Sequence, residues 1–227
     1  MAPSFFIVTL DGPAGAGKST IARKLAAELD IPCLDSGAMF RRLALELHGN
    51  VDIGERELRT KCAGLHFLLR AVNGESRLLC NGVPVGDEVR TEEVSLWASR
   101  IAGNPVVRAV LKEAQRAVAA HSSLVAEGRD MGTEVFPDAR WKFFLDAGPE
   151  VRALRRLKEL EARGERHALA DLVAGIRERD ARDRERSLAP LRPADDAVIV
   201  DTSGLDAEGV FAALMAHIGR KRGSVAL

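Results

Sequence analysis

The chain has 227 residues, enough for one sizeable domain or for a core domain with an added module. Apolar residues make up 46% and charged residues 29%, which are ordinary values for a soluble globular protein. The 33 basic and 33 acidic side chains cancel, so the molecule as a whole is not expected to bind nucleic acid nonspecifically. Its three cysteines, Cys33, Cys62 and Cys80, lack C-x-x-C spacing and are predicted to be free thiols in a reducing compartment.

The hydropathy pattern excludes an obvious membrane protein. No apolar stretch approaches the ~20 residues that a membrane-spanning helix needs. Residues 1–10 lack the basic segment that begins a signal peptide. We therefore expect a cytoplasmic protein that has no membrane partner.

The N-terminal segment has the order strand, glycine-rich loop, helix. Phe5–Leu10 is a continuous β-prone apolar run, as expected for a strand that is buried on both faces of a parallel sheet. Asp11–Gly17 is rich in glycine, and Ser19–Leu29 spaces its apolar residues along one face of a helix.

Similar apolar runs recur at 124–126, 142–146 and 197–200. Each ends in polar residues, and a helical pattern follows directly or after a loop. This alternation of strands and helices predicts a doubly wound α/β core. Ligands of such folds bind at the carboxyl ends of the strands, where these polar residues are expected.

Residues 65–90 follow a different pattern. Leu65–Val72 and Arg77–Cys80 are predicted strands, and the Asn73-Gly74 dipeptide between them is a strong hairpin signal. A second turn leads into Val83–Val85. We interpret this segment as a small antiparallel insertion between two helical parts of the core.

Two helices further along have clear starts. Asn104 is predicted to cap a long helix that has proline at its first position, and Pro149 is predicted to open another. The most basic stretch of the chain, 150–192, follows, and acidic residues interleave with its arginines. Mixed charge of this kind usually forms a solvated, salt-bridged helix pair.

The segment from Gly12 to Ser19 fits the phosphate-binding pattern G-x-x-x-x-G-K-[ST] in full. Glycines let backbone N–H groups converge on phosphate, and the following helix N-terminus favours an anion. Lys18 is suited to bridge the β- and γ-phosphates, and the Ser19 hydroxyl is suited to ligate Mg²⁺. The predicted nucleotide-binding residues are Gly12, Pro13, Ala14, Gly15, Ala16, Gly17, Lys18, Ser19 and Thr20.

Motifs of other P-loop classes are missing. A guanine-reading Asn-Lys-x-Asp is absent, and the D-x-x-G match at Asp201–Gly204 is too weak to indicate a GTPase. A motor of the AAA type would need a longer chain. A small kinase remains.

Three further segments resemble bacterial cytidylate kinases: Asp35–Arg42, Ala126–Thr133 and Arg179–Arg186. Cys80–Thr91 is similar to the insert of the long bacterial form of that family, and Ser187–Leu191 is similar to the end of its lid region. The likeness extends over nearly the whole chain.

The resemblance implies a P-loop nucleoside-monophosphate kinase fold: a doubly wound five-stranded parallel sheet, a lid, and a small antiparallel insert in the NMP-binding region. It implies one domain over 1–227, with a core of about 1–35, 104–150 and 193–227. The NMP-binding region would span about 36–103 and the lid about 151–192. The implied reaction transfers the γ-phosphoryl of MgATP to CMP or dCMP in a monomeric enzyme whose partners are nucleotides.

A lid over phosphates needs arginines, so we favour a functional interpretation of the basic stretch at 150–192.

The resemblance also implies roles for single residues. The acceptor phosphate and the path of the transferred group would be surrounded by Ser36, Arg41, Arg129, Arg179 and Arg186. Asp183 would hold the ribose hydroxyls, and the cytosine would be read by Ser99, Arg108 and Asp130. The catalytic residues would be Lys18, Arg129 and Arg186.

These roles are physically reasonable, because guanidinium groups match phosphate oxygens bidentately. A carboxylate complements the exocyclic amine of cytosine, and an arginine donates to its ring acceptors. One position departs from the family, since Phe40 stands where a tyrosine is usual. Two alternatives stay open: a kinase of UMP, AMP or GMP, and a non-catalytic module that senses nucleotides.

Overall fold

A computed structural model describes residues 5–50, 52–72, 75–162 and 164–223. The strands in the described ranges are β1 (Ile7–Asp11), β2 (Cys33–Asp35), β3 (Phe67–Val72), β4 (Glu75–Cys80), β5 (Val83–Pro84), β6 (Leu124–Glu127), β7 (Trp141–Asp146) and β8 (Val198–Asp201). The α-helices are α1 (Lys18–Leu29), α2 (Ser36–Glu46), α3 (Glu55–Ala63), α4 (Glu92–Ile101), α5 (Pro105–Val118), α6 (Pro149–Glu161), α7 (Leu169–Glu185) and α8 (Ala207–Gly223).

The main sheet has five parallel strands in the order β2-β6-β1-β7-β8. In its centre, Val8 of β1 pairs with Val125 of β6 on one side and with Trp141 of β7 on the other. Apolar clusters cover both faces, one formed with α1 and α8 and the other with α2, α3 and α5. This confirms the predicted doubly wound α/β fold.

The predicted starts of elements are close to those observed. β1 begins two residues later than expected, because Phe5 is exposed and the Phe6 N–H donates to Ser123 Oγ at 3.0 Å instead of joining the sheet. The Asn104 side chain caps α5 as predicted, accepting hydrogen bonds from the N–H groups of Val106 and Val107 at 2.9 and 3.3 Å. Pro149 is the first residue of α6, also as predicted.

The segment between α3 and α4 forms a three-stranded antiparallel sheet in the order β3-β4-β5, as expected. The predicted Asn73-Gly74 turn lies outside the described residues. This small sheet is attached to the edge of the main one, where the Cys33 N–H donates to Ser76 Oγ at 2.7 Å.

None of the helices that the structure describes is both long enough and apolar enough to cross a membrane.

Candidate active site

The phosphate loop lies at the carboxyl end of β1 and is shaped by three glycines. Gly12, Gly15 and Gly17 have φ of +143°, +78° and +86°, a region that favours glycine. At Gly12 a Cβ would also come within 2.0 Å of the Leu145 carbonyl oxygen. No side chain caps α1, so the N–H groups of its first turn are available to an anion.

Lys18 is buried beneath this loop, and its Nζ donates to the Pro13 carbonyl at 2.6 Å. Burial lowers the pKa of Lys18, and the positive charge of Arg129 lowers it further, while Glu127 and Asp11 act in the opposite direction. The ammonium group therefore lies between the phosphate loop and the carboxyl ends of β1 and β6.

The Ser19 hydroxyl donates to Oε2 of Glu127 at 2.9 Å. Burial raises the pKa of Glu127 to about 7, and the nearby charge of Asp35 adds to the effect. This hydroxyl and carboxylate are the hard oxygen ligands that Mg²⁺ prefers. Within the described ranges no three His, Cys, Asp or Glu side chains are grouped to hold a metal alone, so an ion here would be shared with phosphate and water.

Opposite the phosphate loop lies a cluster of four arginines, Arg41, Arg129, Arg179 and Arg186, and two carboxylates pair with three of them. Arg41 of α2 pairs with Asp35 at 2.9 Å. Asp183 of α7 pairs with Arg129, which follows β6, at 3.3 Å and with Arg186 at 3.8 Å. The Ser36 hydroxyl, at the start of α2, donates to the Glu127 carbonyl at 2.7 Å.

Three guanidinium groups of this cluster keep a buried nitrogen without a hydrogen-bond partner among the described residues: Arg41 Nε, Arg179 Nε and Arg186 Nη2. Burial lowers the pKa of Arg179 to about 10, and the charge of Arg129 contributes. Buried donors normally have partners, and like charges repel. An anion with several oxygen atoms would satisfy the donors and neutralise the repulsion.

Beside this cluster, Arg108 forms an ion pair with the buried carboxylate of Asp130 and donates to the Ala102 carbonyl at 3.2 Å. The Phe40 ring lies 5.7 Å from the Arg108 guanidinium, close enough for a cation–π contact. Burial raises the pKa of Asp130, and Arg108 opposes this shift. The Ser99 hydroxyl, on α4, accepts a hydrogen bond of 3.2 Å from Arg182.

Comparison with known proteins identifies the family. The cytidylate kinase family model matches residues 8–220. The chain belongs to the cytidylate kinase family. It is 56% identical over 218 residues to the cytidylate kinase of Nitratidesulfovibrio vulgaris (strain ATCC 29579), covering 96% of this chain and 94% of that one. The Oleidesulfovibrio alaskensis relative is 55% identical over 214 residues (93% and 97% covered), and that of Yersinia enterocolitica is 44% identical over 223 residues (97% and 96%).

Membership of the cytidylate kinase family makes this chain an ATP-dependent nucleoside-monophosphate kinase, a nucleotide-binding transferase of pyrimidine metabolism. The residues singled out from the sequence fall into three adjoining groups. The phosphate loop forms the first group and the arginine cluster with Ser36 and Asp183 the second. Ser99, Arg108 and Asp130 form the third.

Sequence reasoning gave no role to two carboxylates of this kinase site. Glu127 lies within the segment Ala126–Thr133 that resembles the family, and nothing else in the sequence pointed to a role for it. Asp11, directly before the phosphate loop, accepts hydrogen bonds from the N–H groups of Met131 and Gly132 at 2.8 and 2.7 Å. It thereby ties the start of the loop to the turn that carries Arg129 and Asp130. Its position at a strand end was the only available signal.

The basic stretch of this family member combines buried and exposed pairs. Arg152, Asp180 and Asp183 are buried, whereas the Arg177–Glu150 pair that also joins α6 and α7 is exposed. Arg156 pairs with Glu92 of α4 across the site. A wholly solvated helix pair does not describe this segment. Trp97 of α4 packs with the apolar cluster and lies 6.3 Å from the His48 ring.

Proposed function

We propose that this enzyme transfers the γ-phosphoryl group of ATP to the 5′-phosphate of CMP or dCMP, which yields ADP and CDP or dCDP. The observation that carries the proposal is a set of three buried guanidinium nitrogens, on Arg41, Arg179 and Arg186, that have no partner in the part of the chain that the structure describes. A P-loop alone indicates only a triphosphate. A second anion site facing it supports a phosphate acceptor.

On the donor side, the loop from Gly12 to Thr20 would wrap the triphosphate with its backbone N–H groups. Lys18 would exchange its hydrogen bond to the Pro13 carbonyl for the β- and γ-phosphate oxygens, since its Nζ already lies under the loop. Ser19, with Glu127 behind it, would hold Mg²⁺, which supplies positive charge to the β- and γ-phosphates when bound.

On the acceptor side, Ser36 and the four arginines Arg41, Arg129, Arg179 and Arg186 would hold the monophosphate. A monophosphate has enough oxygens to satisfy several guanidinium forks. Asp183, on the lid helix α7, would accept from the ribose hydroxyls, and it already pairs with Arg129 and Arg186 of this cluster.

The base would lie against Asp130, Arg108 and Ser99. The carboxylate would accept from the exocyclic amine of cytosine, and Arg108 would donate to its ring nitrogen and carbonyl. Uracil would place a carbonyl against Asp130, and buried polar mismatches of this kind are costly. The Phe40 ring lies 5.7 Å from the Arg108 guanidinium and would contribute packing without a hydroxyl.

The transfer itself needs little acid–base help, because the attacking group is already an anionic phosphate. Positioning of the two nucleotides in line and neutralisation of charge would supply most of the rate. Lys18, Arg129 and Arg186 would be the catalytic residues, since they place positive charge where it spreads in the transition state. Closure of the lid would exclude water and so limit hydrolysis of ATP.

The proposed regions are a core of about 1–35, 104–150 and 193–227, an NMP-binding region of about 36–103 and a lid of about 151–192. Lid residues contact the NMP-binding region through Arg156–Glu92 and Arg182–Ser99, which suits closure over bound nucleotides. We further propose a monomer that acts in the cytoplasm on nucleotides, without nucleic-acid or membrane partners.

The proposal is tested by turnover: the enzyme, MgATP and CMP should give ADP and CDP in equal amounts. The control omits CMP and should give almost no ADP. Absence of ADP in the complete mixture would favour a nucleotide-sensing module instead.

A further inference from the structure

Arg152, the fourth residue of α6, is almost fully buried, at 1% exposure. Its Nε donates to the Ala147 carbonyl, just beyond β7, at 2.8 Å. Nη1 donates to the Ala14 carbonyl in the phosphate loop at 3.1 Å and to Asp180 Oδ1 at 3.0 Å, while Nη2 donates to Asp180 Oδ2. One planar group thus joins the phosphate loop, the main sheet and α7.

The loop also rests directly on this part of α6. A Cβ at Gly15 would lie 3.1 Å from Arg152 Cβ and 3.3 Å from its carbonyl oxygen. Ala14 stands between Gly15 and Pro13, whose carbonyl accepts from Lys18. A displacement of Arg152 would therefore also displace the phosphate loop, through the packing against Gly15 and the hydrogen bond to the Ala14 carbonyl.

The two Nη atoms of Arg152 bind both carboxylate oxygens of Asp180, and this pair, called the fork below, fixes the rotation of α7 about its axis. Asp180 follows Arg179 directly and precedes Asp183 by about one helical turn. Arg179 carries one of the unpartnered nitrogens, and Asp183 pairs with Arg129. Because a bidentate arginine–carboxylate pair fixes geometry as well as distance, it holds both neighbours towards the acceptor site.

We propose that Arg152 and Asp180 are positioning residues that couple the donor site to the acceptor site. Closing of the phosphate loop on a triphosphate holds the Ala14 carbonyl against Arg152, and the fork then keeps α7 where Arg179 and Asp183 can bind the monophosphate. The inference rests on the proposed function, since it assigns the two anion sites as that function does. Neither residue touches a substrate. Their effect is on the cooperativity between substrates.

Cooperativity is measured as the ratio of two dissociation constants for CMP, one without and one with a saturating non-hydrolysable ATP analogue and Mg²⁺. Isothermal titration calorimetry gives both. We expect CMP to bind at least about 5-fold more tightly with the analogue in the wild type, at the lower end of typical couplings. In Arg152→Lys and in Asp180→Asn the ratio should fall below about 2-fold, because the fork is lost.

A matched control comes from the same two helices. The exposed pair Arg177–Glu150 also joins α7 to α6 but does not contact the loop, so Arg177→Lys should keep the wild-type ratio. Asp180→Glu retains the charge and should restore part of the coupling that Asp180→Asn loses. Removing one partner of a buried ion pair can unfold a protein, so melting curves accompany each variant, and Arg152→Lys is used if Asp180→Asn does not fold.

The outcomes separate the two proposals. Two outcomes would overturn the coupling inference and leave the proposed function intact. One is wild-type coupling in folded Arg152→Lys and Asp180→Asn variants, and the other is an active wild type without coupling. A wild type that turns over a different monophosphate would overturn the proposed substrate, and the same ratio is then measured with that monophosphate. Equal loss in the Arg177→Lys control would show that packing of α6 on α7, and not the fork, carries the effect.

Discussion

The carboxylate of Asp130 is buried, and its ion-pair partner is Arg108, which reaches it from helix α5. Asp130 follows β6, whereas Arg108 belongs to the first turns of α5. A second nitrogen of Arg108 is fixed by the Ala102 carbonyl. The pair is thus held in place before any substrate arrives.

Replacing Arg108 by alanine should weaken the use of CMP, the proposed acceptor, far more than the use of MgATP, the donor. Hydrogen bonds to a charged group contribute about 1.5–3 kcal/mol, so the KM for CMP should rise about 10- to 100-fold. The KM for MgATP should stay within about 2-fold, because Arg108 makes none of the loop contacts described above. Steady-state kinetics with each substrate varied in turn gives both values.

Lys112→Ala is the control for that experiment. Lys112 lies on the same helix as Arg108, and the substitution removes a half-exposed ion pair with Glu134. It should leave both constants nearly unchanged. Equal losses for CMP and MgATP in Arg108→Ala would indicate a folding defect and would contradict a role in reading the base.

Gly12→Ala should destabilise the fold by about 2 kcal/mol or more and weaken MgATP binding, because both φ and the Leu145 carbonyl oppose a side chain there. Gly175→Ala, in the exposed interior of α7 where a Cβ meets nothing, should instead stabilise by about 0.5–1 kcal/mol. Urea unfolding of both variants measures the difference. A Gly12→Ala protein as stable as wild type would refute the close approach of the loop to β7.

Asp11 should make stability depend on pH. Burial raises its pKa from 3.8 to about 7, against the opposing effect of the N–H groups of Gly132 and Met131. Between pH 4 and 7 the folded state therefore keeps a proton that the unfolded state has released, so this contribution to stability falls as the pH rises through that window. Above this pH window, the contribution of Asp11 to the free energy of unfolding is fully lost.

In Asp11→Asn the group cannot titrate, so the decrease in unfolding free energy from about pH 5 to about pH 7.5 should be smaller than in the wild type. Urea unfolding at the two pH values measures it. Asp138→Asn, at an exposed position, serves as the control and should keep the wild-type decrease. Identical decreases in all three proteins would exclude a titrating Asp11 in this window.

Local patterns in the sequence were sufficient for most of the fold. The phosphate loop, the Asn104 cap and the start of α6 at Pro149 each depend on neighbouring residues, so a short segment carries the whole signal. The parallel orientation of the strands followed from the alternation of apolar runs and helices, whereas their order in the sheet was not predicted. The start of β1 was predicted less accurately, because Phe5 is as apolar as its neighbours and only the tertiary structure leaves it exposed.

Contacts between distant residues could not be found in this way. Arg152 and Asp180 are 28 positions apart, and a run of mixed charge looks the same whether its side chains are solvated or buried. Glu127 and Asp11 are ordinary strand-end carboxylates until the fold brings Ser19 to one and the N–H groups of Met131 and Gly132 to the other. The acceptor residues that we propose came from the resemblance to a family, because no local pattern distinguishes their arginines from the others.

Selectivity for the acceptor base is tested most directly by initial rates at saturating MgATP with CMP, dCMP, UMP, AMP and GMP, each varied in turn. We expect kcat/KM for CMP and dCMP to exceed that for AMP and GMP by about 100-fold or more, because in the proposed site Asp130 and Arg108 would complement cytosine and buried polar mismatches are costly. CMP and dCMP no better than AMP would contradict the assignment of these two residues to the base.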